Sequence, residues 1–119
     1  MNIEMPEIEI EARAEMKQDR YGFVWPTLVL TTTTANTDLA FRRDNMAALV
    51  AAAEIESALL KIGDKKWAVG DPIGKSKSLP HCLCSTWDIV VSSGPDAKVE
   101  VAMKALKLVA AKLNTLPRE

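Results

Sequence analysis

The first part of the chain alternates strictly between apolar and charged side chains. Between residues 7 and 17, every second residue is apolar and the residues between them are charged. This period of two predicts a β-strand buried on one face, although glutamate, alanine, methionine and lysine favour helix. We give the period more weight than the helix propensity, because a helix would spread Ile8, Ile10 and Ala12 around its axis. The strand is expected to turn its apolar side inward and to present three glutamates to solvent or to a basic partner: Glu7, Glu9 and Glu11.

A second strand is predicted over residues 23–34, which are rich in β-branched and aromatic side chains. Residues 19–22, Asp-Arg-Tyr-Gly, have the composition of a turn, so the two strands are expected to pair as a hairpin. Pro26 has no N–H to donate, which predicts an edge or a bulge near the start of the second strand.

Two helices are predicted from the spacing of apolar residues. The first covers residues 45–62, with Gly63 as a left-handed C-terminal cap and Thr37 or Asp44 as the N-terminal cap. The second covers residues 95–113, with a small residue before it and a proline and an acid in its first turn, which together favour a helix start.

The segment between the helices is predicted to contain a short strand, a loop and a long strand. Residues 65–69 suit the short strand, residues 70–80 are rich in glycine, proline and serine and suit the loop, and residues 81–92 alternate as the long strand. The order β-β-α-(β)-β-α predicts the α+β class, with a mostly antiparallel sheet and two helices packed on one face. All 119 residues are expected to form one domain. Both halves read as strands followed by a helix, so an internal duplication stays open, although no residue-level repeat is visible.

The composition excludes several classes of protein. With 48% hydrophobic and 26% charged residues, the chain is too apolar to be disordered. Its net charge of −1 gives no indication of nucleic acid or an anionic membrane as partner. No apolar run approaches the roughly 20 residues that span a bilayer, and the acidic N-terminus does not resemble a secretory signal. The expected compartment is the cytoplasm, where a disulfide between Cys82 and Cys84 is not expected.

The charges are unevenly distributed along the chain. Residues 1–19 hold six acids and two bases, whereas residues 61–77 hold five lysines and two acids. These regions are expected to attract each other, within the fold or between subunits. The glutamates of the first strand would lie about 7 Å apart, as carboxylate pairs do in glycosidases. An alternating charged strand offers no cleft, however, so a solvated face is the favoured interpretation.

A phosphate-binding loop is the most specific chemical motif to consider. Residues 70–76 read Gly-Asp-Pro-Ile-Gly-Lys-Ser, one residue shorter than G-x-x-x-x-G-K-[ST]. That loop also needs a helix to begin at its lysine, and Pro80 follows too closely. Nucleotide hydrolysis is therefore not predicted. A small-ligand or phosphate-binding segment remains the alternative function, with these candidate residues: Arg42, Arg43, Lys75, Ser76 and Lys77.

The remaining reactive side chains lie in the run His81-Cys82-Leu83-Cys84. On a strand the two cysteines share one face and His81 points to the other. A structural zinc ion needs about four ligands, and the chain has one histidine and two cysteines. We therefore predict no metal, no cofactor and no catalytic residue. An enzyme that uses His81 is a remote alternative.

These exclusions favour a non-enzymatic protein that binds another macromolecule, as an assembly subunit, an adaptor or a small inhibitor of the type carried by phages and mobile elements. The first helix points to a protein partner. Over residues 46–62 its only polar side chains are Glu54, Glu56, Ser57 and Lys61, so its apolar arc is wider than one sheet face covers. Either the second helix or another subunit covers the surplus, and we predict a homodimer. The predicted interface residues are Met46, Leu49, Val50, Ala53, Ile55 and Leu59.

Overall fold

The computed structural model describes residues 8–63, 66–94 and 97–115. The elements in chain order are β1 (Ile8–Gln18), β2 (Val24–Ala35), α1 (Ala40–Ile62), β3 (Trp67–Val69), β4 (Ile73–Ser78), β5 (Cys82–Ser93) and α2 (Val99–Asn114). The predicted α+β class is confirmed. The prediction of a loop over residues 70–80 is wrong, because β4 lies within it.

All strand pairs are antiparallel, and the sheet order is β1-β2-β5-β3, with β4 also paired to β5. Thr86 of β5 lies opposite Thr31 of β2 on one side and opposite Lys75 of β4 on the other. β3 and β4 follow each other along this second side, and the Gly70 N–H between them donates to the Val90 carbonyl (2.9 Å). Together they make one interrupted edge strand.

Each half of the molecule is thus two strands followed by a helix. The second strand of each half, β2 or β5, lies in the centre of the sheet, and the first lies at an edge. Both helices pack on the same face of the sheet, α2 mainly over β1, and α1 over β2, β3 and β5. A single cluster of buried residues joins the sheet to both helices, including Leu28, Leu30, Ile89, Ala51, Ile55, Ala105 and Leu106.

The alternation predicted for the first strand is confirmed over residues 8–14 but not at Met16, which the sequence places on the inner side and which is 40% exposed. Ile8 and Ala12 are buried, and Glu9 and Glu11 are exposed on the opposite face. Glu7 lies outside the described residues. The hairpin turn is also where the sequence places it, since Gly22 adopts a left-handed φ of 89° and the Asp19 N–H donates to the Phe23 carbonyl (2.7 Å).

The helix ends differ from the predicted ones. α1 begins at Ala40, five residues earlier than expected, and its N-cap position is Leu39, which makes no side-chain capping bond. Thr37 and Asp44 were therefore wrong as capping residues: the Thr37 hydroxyl only accepts the Leu39 N–H (3.3 Å), and Asp44 lies buried within the helix. The Gly63 cap is confirmed, with a φ of 80°. α2 begins at Val99, and the Pro95 and Asp96 of its predicted start lie outside the described residues.

Candidate protein-binding surfaces

α1 carries two apolar stripes on opposite sides. The core stripe follows helical spacing and consists of Ala40, Asp44, Ala48, Ala51, Ile55 and Leu59, all buried. The second stripe repeats the same spacing in Met46, Leu49, Val50 and Ala53. The first three of these side chains are 56%, 58% and 44% exposed. We call these four residues the outer stripe.

The interface prediction needs one correction. Ile55 and Leu59, which we predicted as interface residues, are 0% and 5% exposed and belong to the hydrophobic core of the chain itself. At 100° per residue they lie on the side of α1 that faces the sheet, so they cannot reach a partner. The other four predicted residues are those of the outer stripe.

The second helix leaves the outer stripe open. α2 contacts α1 on the flank marked by Glu54, whose carboxylate accepts a hydrogen bond from Lys112 Nζ (2.6 Å). This flank lies about 90° from the centre of the outer stripe. α2 therefore covers only this flank of α1, and the apolar surface of the outer stripe stays open to another subunit.

Charged residues lie at both ends of the outer stripe. Arg42 and Glu56 are exposed and lie on the same side of α1 as Leu49. They are 14 residues apart, close to four full turns, which corresponds to about 21 Å along the helix axis. The line along α1 through Leu49 is therefore positive at one end and negative at the other.

The residues proposed for phosphate binding are not brought together. Lys75 and Lys77 project from β4 on the face opposite to the helices, whereas Arg42 and Arg43 belong to α1 on the helical side. Ser76 points to the helical side, where its Oγ lies 2.7 Å from Ser85 Oγ. The sheet thus separates the lysines from the arginines. No helix begins at Lys75, since residues 73–78 form a strand.

A buried carboxylate, which the sequence did not indicate as functional, fixes α1 on the sheet. Asp44 is 1% exposed. Its Oδ2 accepts a hydrogen bond from Ser85 Oγ (2.7 Å), and its Oδ1 accepts bonds from the Thr32 hydroxyl and from Trp87 Nε1 (3.3 Å). These donors belong to β2 and β5. The only sequence signal was the spacing of Asp44 from Ala48 and Ala51, which places it on the core stripe.

The same network extends to the edge strand. Ser85 connects Asp44 to Ser76 of β4 through adjacent hydroxyls. The Trp87 ring lies over Gly74, and a Cβ at that position would be 2.5 Å from the ring. The tryptophan that binds Asp44 therefore covers the backbone of β4, and only glycine leaves room for it.

The histidine and the cysteines form no reactive pair in the described part of the chain. His81 is exposed in the turn between β4 and β5, where its carbonyl accepts the Asn36 N–H (3.2 Å). Cys82 and Cys84 are free, and their sulfur atoms lie 3.3 Å apart on one face of β5. The hydrogen bond to Cys84, together with partial burial, raises the pKa of the Cys82 thiol. It therefore stays protonated at neutral pH and is a weak nucleophile.

In two rows of residues, the face of the sheet away from the helices runs from acidic to basic. One row across it reads Glu11, Thr31, Thr86 and Lys75, and the next reads Glu9, Thr33, Cys84 and Lys77. Three strand spacings of about 4.8 Å separate the glutamates from the lysines, so they make no direct pairs. Glu9 and Glu11 of the acidic region and Lys75 and Lys77 of the basic region thus lie at opposite edges of one face.

Comparison of the chain with protein-family models, with curated proteins and with solved structures found no match. Neither helix in the described part of the chain has both the length and the apolar character needed to cross a bilayer. No group of three or more metal-ligating side chains is found among the same residues.

Proposed function

We propose that the protein is a non-enzymatic, protein-binding assembly subunit that pairs with a second copy of itself through the outer stripe of α1. The observation that carries this proposal is the exposure of Met46, Leu49 and Val50 on the helix side turned away from the core. Apolar side chains grouped in this way on a regular helix are typical of protein contact surfaces. The free cysteines are consistent with a reducing compartment such as the cytoplasm.

The charges at the ends of the stripe favour a second copy in antiparallel orientation. A two-fold axis near Leu49 places Leu49 beside the partner's Leu49 and Met46 beside the small Ala53 of the partner subunit. The same axis brings Arg42 of each copy against the partner's Glu56. A parallel arrangement would instead place Arg42 against Arg42, which costs electrostatic energy.

The size of the stripe sets the expected affinity. A stable interface buries about 800 Å² on each partner, and one helix face about 21 Å long supplies less than that. We therefore expect a dimer that dissociates on dilution.

Sedimentation velocity over a concentration series tests this proposal. The wild-type protein is expected to move from 13.0 kDa toward twice that mass as its concentration rises through the micromolar range. Leu49→Arg should remain monomeric, because the arginine places a charge at the two-fold axis. Leu108→Arg is the matched control: Leu108 is 59% exposed on α2, close to the 58% of Leu49, and should leave the dimer intact. A wild-type protein that stays monomeric throughout the series would refute the proposal.

A charge exchange tests the orientation. Arg42→Glu and Glu56→Arg should each weaken the dimer, because each places like charges together across the axis. The double variant restores opposite charges and should recover most of the affinity. Losses that simply add in the double variant would contradict the antiparallel arrangement.

A thermal-shift screen tests the alternative of phosphate binding. Nucleotides and inorganic anions are expected to leave the Tm unchanged. A rise in Tm of several degrees that Lys75→Ala abolishes would favour phosphate binding instead.

A further inference from the structure

β4 is the least covered strand of the sheet. All six of its residues are exposed, and neither helix makes extensive contact with it. Its only strand partner in the described part of the chain is β5, so its second edge is open. An open edge presents a row of backbone donors and acceptors that another strand can use.

The hydrogen-bond pattern identifies which residues face this open edge. The Leu79 N–H donates to the Cys82 carbonyl (2.8 Å), and bonded pairs alternate with non-bonded pairs along an antiparallel ladder. Lys75 and Lys77 therefore bond to β5, in the register that pairs them with Thr86 and Cys84. The N–H and C=O groups that point outward belong to Gly74, Ser76 and Ser78.

The opposite edge of the sheet is closed at its centre. The outward N–H of Ala12 in β1 donates to Asn114 Oδ1 (2.7 Å), and Asn114 Nδ2 donates back to the Ala12 carbonyl (2.8 Å). This amide from the end of α2 occupies the two groups that an added strand would need. The two edges differ, and only the edge at β4 is available along its length.

The positive charge beside the open edge determines which kind of strand can pair with it. Lys75 and Lys77 project on the same face of β4 and are exposed. Two copies of β4 paired about a two-fold axis at Ser76 would set Lys75 opposite the partner's Lys77, and like charges directly opposite destabilise a strand pair. Acidic side chains at alternate positions would meet both lysines favourably.

We propose that the open edge of β4 accepts an extended acidic segment of another protein as an additional strand. Its backbone bonds to Gly74, Ser76 and Ser78, and its acidic side chains at positions i and i+2 face Lys75 and Lys77. The site lies on other residues than the outer stripe, so it does not rest on the proposed dimer, and one can fail without the other.

A short labelled peptide of alternating glutamate and valine is the probe, with a lysine–valine peptide as its control. Fluorescence anisotropy should show that the protein binds the glutamate peptide but not the lysine peptide. Added salt should weaken this binding. Amide hydrogen exchange should slow at Ser76 and Ser78, whose N–H groups are free before binding, and change little at Lys75 and Lys77, which already bond to β5. Equal binding of both peptides, or no slowing at Ser76 and Ser78, would overturn the proposal.

Two variants that both lose the Ser76 hydroxyl isolate the contribution of the Ser76 backbone N–H to peptide binding. Ser76→Ala and Ser76→Pro both remove the hydroxyl that contacts Ser85, but only proline removes the outward N–H. Peptide binding should be close to normal in Ser76→Ala and at least about fivefold weaker in Ser76→Pro, the effect of one lost hydrogen bond. Retained exchange protection at Lys75 and Lys77 would show that β4 is still paired in the proline variant. Binding that survives Ser76→Pro contradicts strand addition.

Exchanging the lysines tests the charge selection. The double variant Lys75→Glu with Lys77→Glu should lose the glutamate peptide and bind the lysine peptide instead. Measurements in the Leu49→Arg background keep the outer stripe out of the experiment. If Ser76 and Ser78 become protected there on raising the protein concentration alone, the occupant is a second copy and the proposal of an acidic partner is wrong.

Discussion

Asp44 is a carboxylate held in the interior by neutral donors. None of the ion pairs found among the described residues includes it. Removing a carboxylate from water costs several kcal/mol, and hydrogen bonds from Thr32, Ser85 and Trp87 offset this cost. The arrangement requires that α1 sit at one position on β2 and β5, since a shift by one turn would leave all these groups unpaired.

Replacing Asp44 by alanine should therefore destabilise the protein by about 2–4 kcal/mol, because it removes an acceptor of the buried Thr32 and Ser85 hydroxyls and of the half-buried Trp87 Nε1. Asp44→Asn keeps the size and one acceptor oxygen and should cost less. Urea denaturation followed by circular dichroism measures both. The exposed acid Asp38 offers a control, since Asp38→Ala should change the free energy of unfolding by less than about 0.5 kcal/mol. A similarly small effect of Asp44→Ala would show that the network adds nothing to stability.

Asp19 gives the hairpin turn a pH dependence. Its carboxylate accepts hydrogen bonds from Trp25 Nε1 (2.9 Å) and from the N–H groups of Tyr21 (2.8 Å) and Phe23 (3.0 Å). These bonds, the one from Trp25 first, lower the pKa of Asp19 in the folded protein. Because the folded pKa lies below the unfolded value of about 3.9, the stabilisation is complete above that value and disappears as the pH falls through the folded pKa.

Thermal melts of the wild type and of Asp19→Asn across an acid pH series test this expectation. The variant should melt at a lower temperature near neutral pH, and the difference in Tm should shrink toward zero in strong acid. A difference in Tm that stays constant with pH would mean that the ionisation of Asp19 does not contribute.

Among the elements, β4 is the one whose position depends most on a single neighbour, β5. It is held by the ladder to β5, by the Ser76–Ser85 contact and by the Trp87 ring over Gly74. Gly74→Val should displace that ring, since even a Cβ would lie 2.5 Å from it, and we expect a loss of about 1–3 kcal/mol.

Equilibrium unfolding and near-ultraviolet circular dichroism, which reports the tryptophan environment, would measure the effect of Gly74→Val. Gly94→Val is the control, because nothing lies within 4 Å of a Cβ at that position and its effect should be near zero. Equal free energies of unfolding for the two variants would show that the Trp87 ring can move aside without loss of stability.

The elements also differ in how far the sequence can predict them. β1 could be predicted because one of its faces is covered by helices and the other meets solvent, which selects apolar residues at every second position. β4 could not, since all six of its residues are exposed and nothing selects an apolar period there. The Asp44 network could not either, because its donors lie 12, 41 and 43 residues away and only the fold brings them together.

At the scale of the whole molecule, the candidate surfaces lie at three separate places. The outer stripe lies on the outer side of the helical layer, the acidic-to-basic face lies on the other side of the sheet, and the open edge lies between them. A subunit of this shape can contact one partner without obstructing another. The proposed dimer and the proposed strand addition are therefore compatible in one assembly.

The contact between Ala12 and Asn114 joins residues 102 positions apart in the chain. During synthesis the β1–β2 hairpin emerges before α2, the helix that covers β1. The apolar side of β1 therefore stays without this cover until residues 99–114 have been made. Closing such long loops also slows folding in solution, because the entropy of loop closure is lost before the distant contacts form. A nascent chain of this protein is thus most prone to aggregate just before α2 appears, and the β1 side of its sheet is covered only after residues 99–114 have emerged.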